Sequence, residues 1–150
     1  MFHLNKSAVQ SVEISAIAHA TDDLEKVESA LAAVLPNELR GREIFTRRYL
    51  EGHHRNPIVT FASKLTEPAE VEAFTSHLFH QLSKNERLRI EGGLPLYTDP
   101  EGNLYLRISK QKAFQGTIEL NHDDPIRVKL KFNRLMGAPA KLMQQLLEAV

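Results

Sequence analysis

Ile126-Arg127-Val128-Lys129-Leu130-Lys131-Phe132 alternates apolar and cationic side chains without a break. In an extended chain successive side chains point to opposite sides of the pleat. Ile126, Val128, Leu130 and Phe132 therefore share one face, and Arg127, Lys129 and Lys131 share the other. The segment reads as a strand with its apolar face in a core. Asn121-His122-Asp123-Asp124-Pro125 before it reads as a turn. Further back, Leu104, Leu106 and Ile108 alternate with Tyr105 and Arg107, and Phe114 to Leu120 is read as another strand. Asp99-Pro100-Glu101-Gly102 is a turn ahead of them, and Leu94-Pro95-Leu96-Tyr97 a short extended piece.

The same rhythm opens the chain. Val12, Ile14, Ala16 and Ala18 alternate with Glu13, Ser15 and Ile17, which predicts a strand ending near His19-Ala20. Thr21-Asp22-Asp23 supplies cap oxygens for a helix bearing Leu24, Val27, Leu31, Val34 and Leu35, closed by Pro36. Residues 42–50 and Ile58 to Leu65 form a hairpin around the loop Glu51-Gly52-His53-His54-Arg55-Asn56-Pro57, with the face of its first strand undecided. Thr66-Glu67-Pro68 starts a helix with the stripe Val71, Phe74, Leu78 and Leu82, and Pro139 opens a last one with Leu142, Met143, Leu146 and Leu147. The order is strand, helix, hairpin, helix, three strands, helix. It specifies an α+β fold: a mainly antiparallel sheet with helices on one face, and residues 1–150 as a single domain.

A length of 150 residues suffices for one core without disulfides or metal, and 42% hydrophobic with 25% charged residues marks a folded chain. The absence of Cys excludes a thiol nucleophile, a disulfide framework and cysteine metal ligands. No apolar run approaches the ~18 residues of a membrane helix. Met1-Phe2-His3-Leu4 lacks the pattern of a secretory signal, so a cytoplasmic location is expected.

The formal net charge is zero, from 19 cations and 19 anions, but the charges come in opposed blocks. Residues 1–38 carry a net −4, 39–55 a net +3, 56–103 a net −3 and 104–134 a net +4. The first two helices fall in acidic blocks; the hairpin and the last strands fall in basic ones. Arg127, Lys129 and Lys131, with Tyr105 and Arg107, are placed on the open side of the sheet. Lys110 and Lys112 follow one strand, and His53, His54 and Arg55 sit at a hairpin tip. Cations beside aromatic rings suit RNA, since the former neutralise phosphates and the latter stack unpaired bases.

Catalytic signals are weak. No Gly-rich phosphate loop and no nucleophile elbow is present. His77 and His80 lie on one helix without carboxylates at ligand spacing, and read as surface residues. Asp123 and Asp124, with Glu119, could seed a metal-dependent nuclease, but a turn before Pro125 accounts for the aspartates. No metal, cofactor or catalytic residue is expected. The competing class is a protein-interaction scaffold or homodimer using the open sheet face, centred on Ile17 and Phe45 if both lie there.

Four stretches also resemble a family of small archaeal proteins described as predicted RNA-binding and exosome-associated. Val12-Glu13-Ile14-Ser15-Ala16-Ile17-Ala18-His19-Ala20-Thr21-Asp22-Asp23-Leu24-Glu25-Lys26-Val27 is similar to its opening. Gly52-His53-His54-Arg55-Asn56-Pro57-Ile58 is similar to its hairpin loop. Leu104-Tyr105-Leu106-Arg107-Ile108-Ser109-Lys110-Gln111-Lys112-Ala113-Phe114-Gln115-Gly116 resembles its most characteristic stretch, and Asp124-Pro125-Ile126-Arg127-Val128-Lys129-Leu130-Lys131 its last strand. The resemblance implies a fold like the ribosomal large-subunit protein that binds that subunit's small RNA, an archaeal source, and no catalysis. It also implies RNA and RNA-processing subunits as partners. Two positions depart from the family's pattern: His54-Arg55 stands where an aromatic followed by Gly is expected, and Ser109 where an acid is expected. Arg tolerates a positive φ poorly, which bears on the turn. Pattern and resemblance together give a non-catalytic RNA-binding domain with Tyr105, Arg107, Lys110, Lys112, Arg127, Lys129 and Lys131 as its main surface, extended by His53, His54 and Arg55.

Overall fold

The computed structural model describes residues 8–148; Met1-Phe2-His3-Leu4 lies outside them. Five strands form one sheet, β1 (Val9–Ala18), β2 (Thr46–Glu51), β3 (Pro57–Leu65), β4 (Leu104–Ile108) and β5 (Ile126–Phe132). They lie in the order β2-β3-β1-β5-β4 with every neighbouring pair antiparallel. The helices are α1 (Leu24–Ala33), α2 (Pro68–Gln81), α3 (Lys84–Gly92), α4 (Leu94–Tyr97), α5 (Lys110–Phe114) and α6 (Pro139–Glu148). The expected α+β class and one-sided sheet are present.

Directly opposed residues of antiparallel strands point to the same face. Ile14 opposes both Ser63 of β3 and Val128 of β5, and Val128 in turn opposes Leu106. One face is thus built from Val12, Ile14, Ala16 and Ala18, from Phe61 and Leu65, from Leu104, Leu106 and Ile108, and from alternate residues of β5. All are buried. Val27 and Leu31 of α1, Phe74 and Leu78 of α2, and Leu142 and Leu146 of α6 complete that core. Asp23 caps α1 by accepting from Glu25 N–H at 3.0 Å, and Glu67 caps α2 by accepting from Ala69 and Glu70. No helix among the described residues is long and apolar enough to cross a membrane.

Two segments depart from the sequence reading. Residues Phe114 to Leu120 are not a strand. Ser109 Oγ accepts from Lys112 N–H at 3.1 Å and nucleates α5, which stops before Gly116 at φ 94°. The rest of the segment touches the sheet through one bridge, Ile108 to Leu120, and is pinned from behind by Glu86, whose Oε2 accepts Leu120 N–H at 2.6 Å. The apparent alternation arises because Ile118 is buried and Leu120 packs on the core without a hydrogen-bonded ladder. Leu94-Pro95-Leu96-Tyr97 is a helical turn, not an extended piece, because Pro95 falls in its first turn, where a missing N–H costs nothing. Helix α3, capped by Ser83, has no counterpart in the sequence reading.

The hairpin forms, but its first strand begins at Thr46 and not at residue 42, and its tip is strained. His54 (φ 61°) and Arg55 (φ 62°) both adopt the left-handed conformation, where a Cβ crowds the backbone. Replacing Arg55 with Gly is expected to raise the free energy of unfolding by about 1 kcal/mol, offset partly by the freer unfolded chain. Urea denaturation checks this; an unchanged or lower midpoint refutes the strain.

Candidate nucleic-acid interface

The face away from the helices is set by the same registers. Tyr105 of β4 opposes Lys129 of β5, Lys129 opposes Glu13 of β1, and Glu13 opposes Lys64 of β3. The next row reads Arg107, Arg127, Ser15, Ala62 and Thr46. Ile17, Thr60 and Arg48 form the row beyond. Lys131, opposite Ser11, continues the line of cations along β5. The strands therefore present Arg48, Lys64, Arg107, Arg127, Lys129 and Lys131 against a single acid, Glu13.

That acid is engaged. Lys129 Nζ lies 3.8 Å from Glu13 Oε2 and 5.7 Å from the centre of the Tyr105 ring. The charge of Tyr105, when ionised, and that of Glu13 hold Lys129 above its ordinary pKa. Burial pushes the Tyr105 phenol up, and its hydrogen bond to Asp99 adds to this. Burial alone would raise Asp99, but hydrogen bonds from Asn103, from Tyr105 and from the Glu101 backbone outweigh it and hold the carboxyl at about 2. Tyr105 is thus fixed at its rim while its ring stays on the open face.

Arg107 and Arg127 stand directly opposite one another, and among the described residues neither has an acidic partner. Like charges directly opposed across strands destabilise a sheet. An anion lying across the two strands would remove that repulsion.

Five of the expected residues meet on this face: Tyr105, Arg107, Arg127, Lys129 and Lys131. The structure adds Arg48 and Lys64. Lys64 was legible, since Leu65 beside it is a core residue; Arg48 was not, until β3 decided which side of β2 faces out. Phe45 precedes β2 and packs on the core, so it does not join Ile17. His53, His54 and Arg55 stand exposed at the hairpin tip, beyond the paired Leu50 and Ile58. His77 Nε2 is tied to the Ala33 carbonyl at 3.3 Å and His80 Nδ1 to that of Ser76 at 2.8 Å, and among the described residues neither falls in a cluster of metal-ligating groups.

Lys110 and Lys112 do not join the face. Both lie on α5, which packs on α1. Lys112 is half exposed and faces Glu119, with Nζ 3.9 Å from Oε2. Lys110 is 13% exposed; its Nζ donates to the Ile17 carbonyl at 2.5 Å and to Asp124 Oδ2 at 2.8 Å, with Asp22 Oδ2 at 3.7 Å. The reason is topological: β5 pairs with β1 only as far as Ser15, so the Ile17 carbonyl needs another donor. His19 Nε2 approaches Asp124 Oδ1 at 3.2 Å. His19, Asp22 and Asp124 converge as a metal site's ligands do, but the Lys110 ammonium already supplies the cation among them. Glu119, turned to Lys112, does not complete a nuclease-like carboxylate set.

A family model described as RNA binding matches residues 11–132. This chain belongs to that RNA-binding family. It is 30% identical over 128 residues to RNA-binding protein PAB1135 of Pyrococcus abyssi, an alignment covering 84% of this chain and 83% of the relative. Protein AF2318 from Archaeglobus fulgidus superposes with a TM-score of 0.75 at 29% identity, covering 91% of this chain and 95% of its own. Mth689, a DUF54 protein from Methanothermobacter thermautotrophicus, gives 0.72 at 27% identity, covering 94% and 99%. The RNA-binding family members resembled here are archaeal.

Burial would raise Asp124, but the hydrogen bond and charge of Lys110, joined by His19, hold it below its ordinary 3.8. A depressed folded-state pKa contributes stability that is present above the unfolded value and lost as pH falls through the folded one. Lys110→Met should cost about 1–3 kcal/mol by leaving the Ile17 carbonyl without this donor and Asp124 with His19 alone. It should also remove the acid-side loss of stability that this pair contributes. Denaturation curves from neutral to acid pH test both, with Lys112→Met, expected within about 0.5 kcal/mol of the parent, as the control.

Proposed function

We propose that the open sheet face binds RNA, and that the protein acts without catalysis as an accessory to RNA processing or degradation, in the exosome-associated setting its family resemblance implies. The observation that carries this reading is the Arg107–Arg127 opposition, a repulsion built into the β4–β5 pair at one side of the sheet that a phosphate group would convert into attraction. Alternate cations along β5 run ~7 Å apart, so Arg127, Lys129 and Lys131 can follow a sugar–phosphate backbone. Guanidinium groups take phosphate oxygens in pairs, and the Tyr105 ring, held by Asp99, offers a stacking surface for an unpaired base. Arg48, Lys64 and the hairpin tip with His53, His54 and Arg55 extend the track. Lys110 acts as a positioning residue beneath it, and Lys112 is peripheral. A deep major groove cannot be read by a flat sheet, which favours single-stranded or loop RNA over a duplex.

Face-to-face pairing with a second copy is a weaker reading. It would press six cations against six more, with Ile17 as the one large apolar side chain at the centre.

Binding of a labelled single-stranded RNA should fall with salt along a log–log slope of about −2.8, from about −0.7 for each of Arg107, Arg127, Lys129 and Lys131. The Arg107→Thr/Arg127→Thr variant should halve that slope to about −1.4 while raising stability by about 0.5 kcal/mol through loss of the repulsion. Salt-independent or absent binding by the parent would overturn the proposal. So would RNA cleavage in the presence of Mg²⁺, for its non-catalytic part.

A further inference from the structure

The two edges of the sheet are treated differently. The outer edge of β4 is occupied at both ends: Thr98 bridges Leu104, Ser109 N–H donates to Glu119 O at 2.8 Å, and Asn121 N–H donates to Arg107 O at 2.9 Å. The outer edge of β2 has no strand partner among the described residues, and all six of its residues are exposed, Tyr49 at 70% and Leu50 at 49%.

The direction of its main-chain groups follows from one bond. Gly52 N–H donates to Asn56 O at 2.7 Å, so that opposed pair is a hydrogen-bonded one. Such pairs alternate along an antiparallel ladder. Leu50, Arg48 and Thr46 therefore bond inward to β3, and Arg47, Tyr49 and Glu51 aim their N–H and C=O groups outward. Pro57, opposite Glu51, fits this phase because no donor is needed there.

We propose that β2 pairs antiparallel with β2 of a second copy, about a two-fold axis through Tyr49 and normal to the sheet. Opposed residues must share a face, which rules out every register that mixes odd with even positions. Of the central registers left, one through Arg48 sets Arg48 against Arg48. The register through Tyr49 sets Tyr49 against Tyr49, Arg47 against Glu51 of the second copy, and Arg48 against its Leu50. No like charges oppose, both exposed apolar side chains are covered, and every outward N–H and C=O of Arg47, Tyr49 and Glu51 finds a partner. Charges on an edge strand commonly deter pairing; here they deter the register through Arg48 and favour the one through Tyr49. The product is a ten-stranded sheet with both open faces on one side. A six-residue strand is a small contact, so the dimer is a concentration-dependent one. This inference stands whether or not the face binds RNA.

The chain has no cysteine, so one introduced thiol reports on one position. Sedimentation equilibrium of the parent should show a mass rising with concentration from 17.0 kDa toward twice that value. Under mild oxidation Tyr49→Cys should cross-link to a dimer and Arg48→Cys should not. Glu51→Arg and Arg47→Glu should each weaken self-association about tenfold or more, because each sets like charges opposite. An equimolar mixture of the two should recover it, since their charges are complementary. A parent that stays monomeric at every concentration, cross-linking at position 48 instead of 49, or a mixture that fails to recover association would each overturn the proposal.

Discussion

The register between β1 and β5 is the constraint on which the rest depends. Ile14 opposite Val128, with Leu106 beyond, places the apolar halves of three strands against the helices. A slip of one residue would turn Arg127, Lys129 and Lys131 into the core and Ile126, Val128 and Leu130 into water. Burying three unpaired cations is far costlier than any local preference the chain could satisfy by slipping. The basic face is therefore the obligatory complement of the apolar one, and the two are specified by the same residues. The helices need only cover one side, and the other is left with the charges that alternation put there.

What closes the fold around that register is a largely buried cation used for structure. Where β5 ends short of β1, Lys110 reaches across from α5 to the Ile17 carbonyl and holds Asp124 at the entrance to β5 and Asp22 near the start of α1. One ammonium thus ties the two central strands to the helix layer. A cation in a basic block is not necessarily a ligand contact; accessibility and hydrogen-bond partners separate Lys110 from Arg107, three residues earlier on the chain.

The strands with a strict two-residue rhythm were legible from the sequence because burial of one face imposes it: β1, β4 and β5, and with them Tyr105, Arg107, Arg127, Lys129 and Lys131. Helices α1 and α2 were legible from Asp23 and from Glu67-Pro68 at their starts. The segment after Ile108 was misread because Ile118 and Leu120 alternate as a strand would, while the decisive signal, Ser109 as an N-cap, is one side chain. Its place where the resemblance leads one to expect an acid becomes intelligible, since both residue types can accept from the N–H groups of a first turn. Arg48 was illegible in principle. Both faces of β2 are exposed and each mixes polar with apolar residues, so its phase is set by pairing with β3 and not by its own composition.

A net charge of zero looks unsuited to a polyanion, and distance resolves the conflict. The acids of α1 and α2 lie behind the sheet, separated from the open face by a layer on the order of 10 Å. That is comparable with the Debye length, about 8 Å at physiological ionic strength. A phosphate in contact with Arg107 and Arg127 feels those groups almost unscreened, and the acids behind the sheet only faintly. Far from the surface the two sets cancel, so the protein exerts little pull on a distant RNA and gains little from electrostatic steering. On the proposed reading, recognition would then rest on what touches the face, a more selective arrangement than a uniformly basic protein could offer: a polyanion would be retained where its phosphates match the rows of cations, and elsewhere would meet a surface that is neutral or acidic.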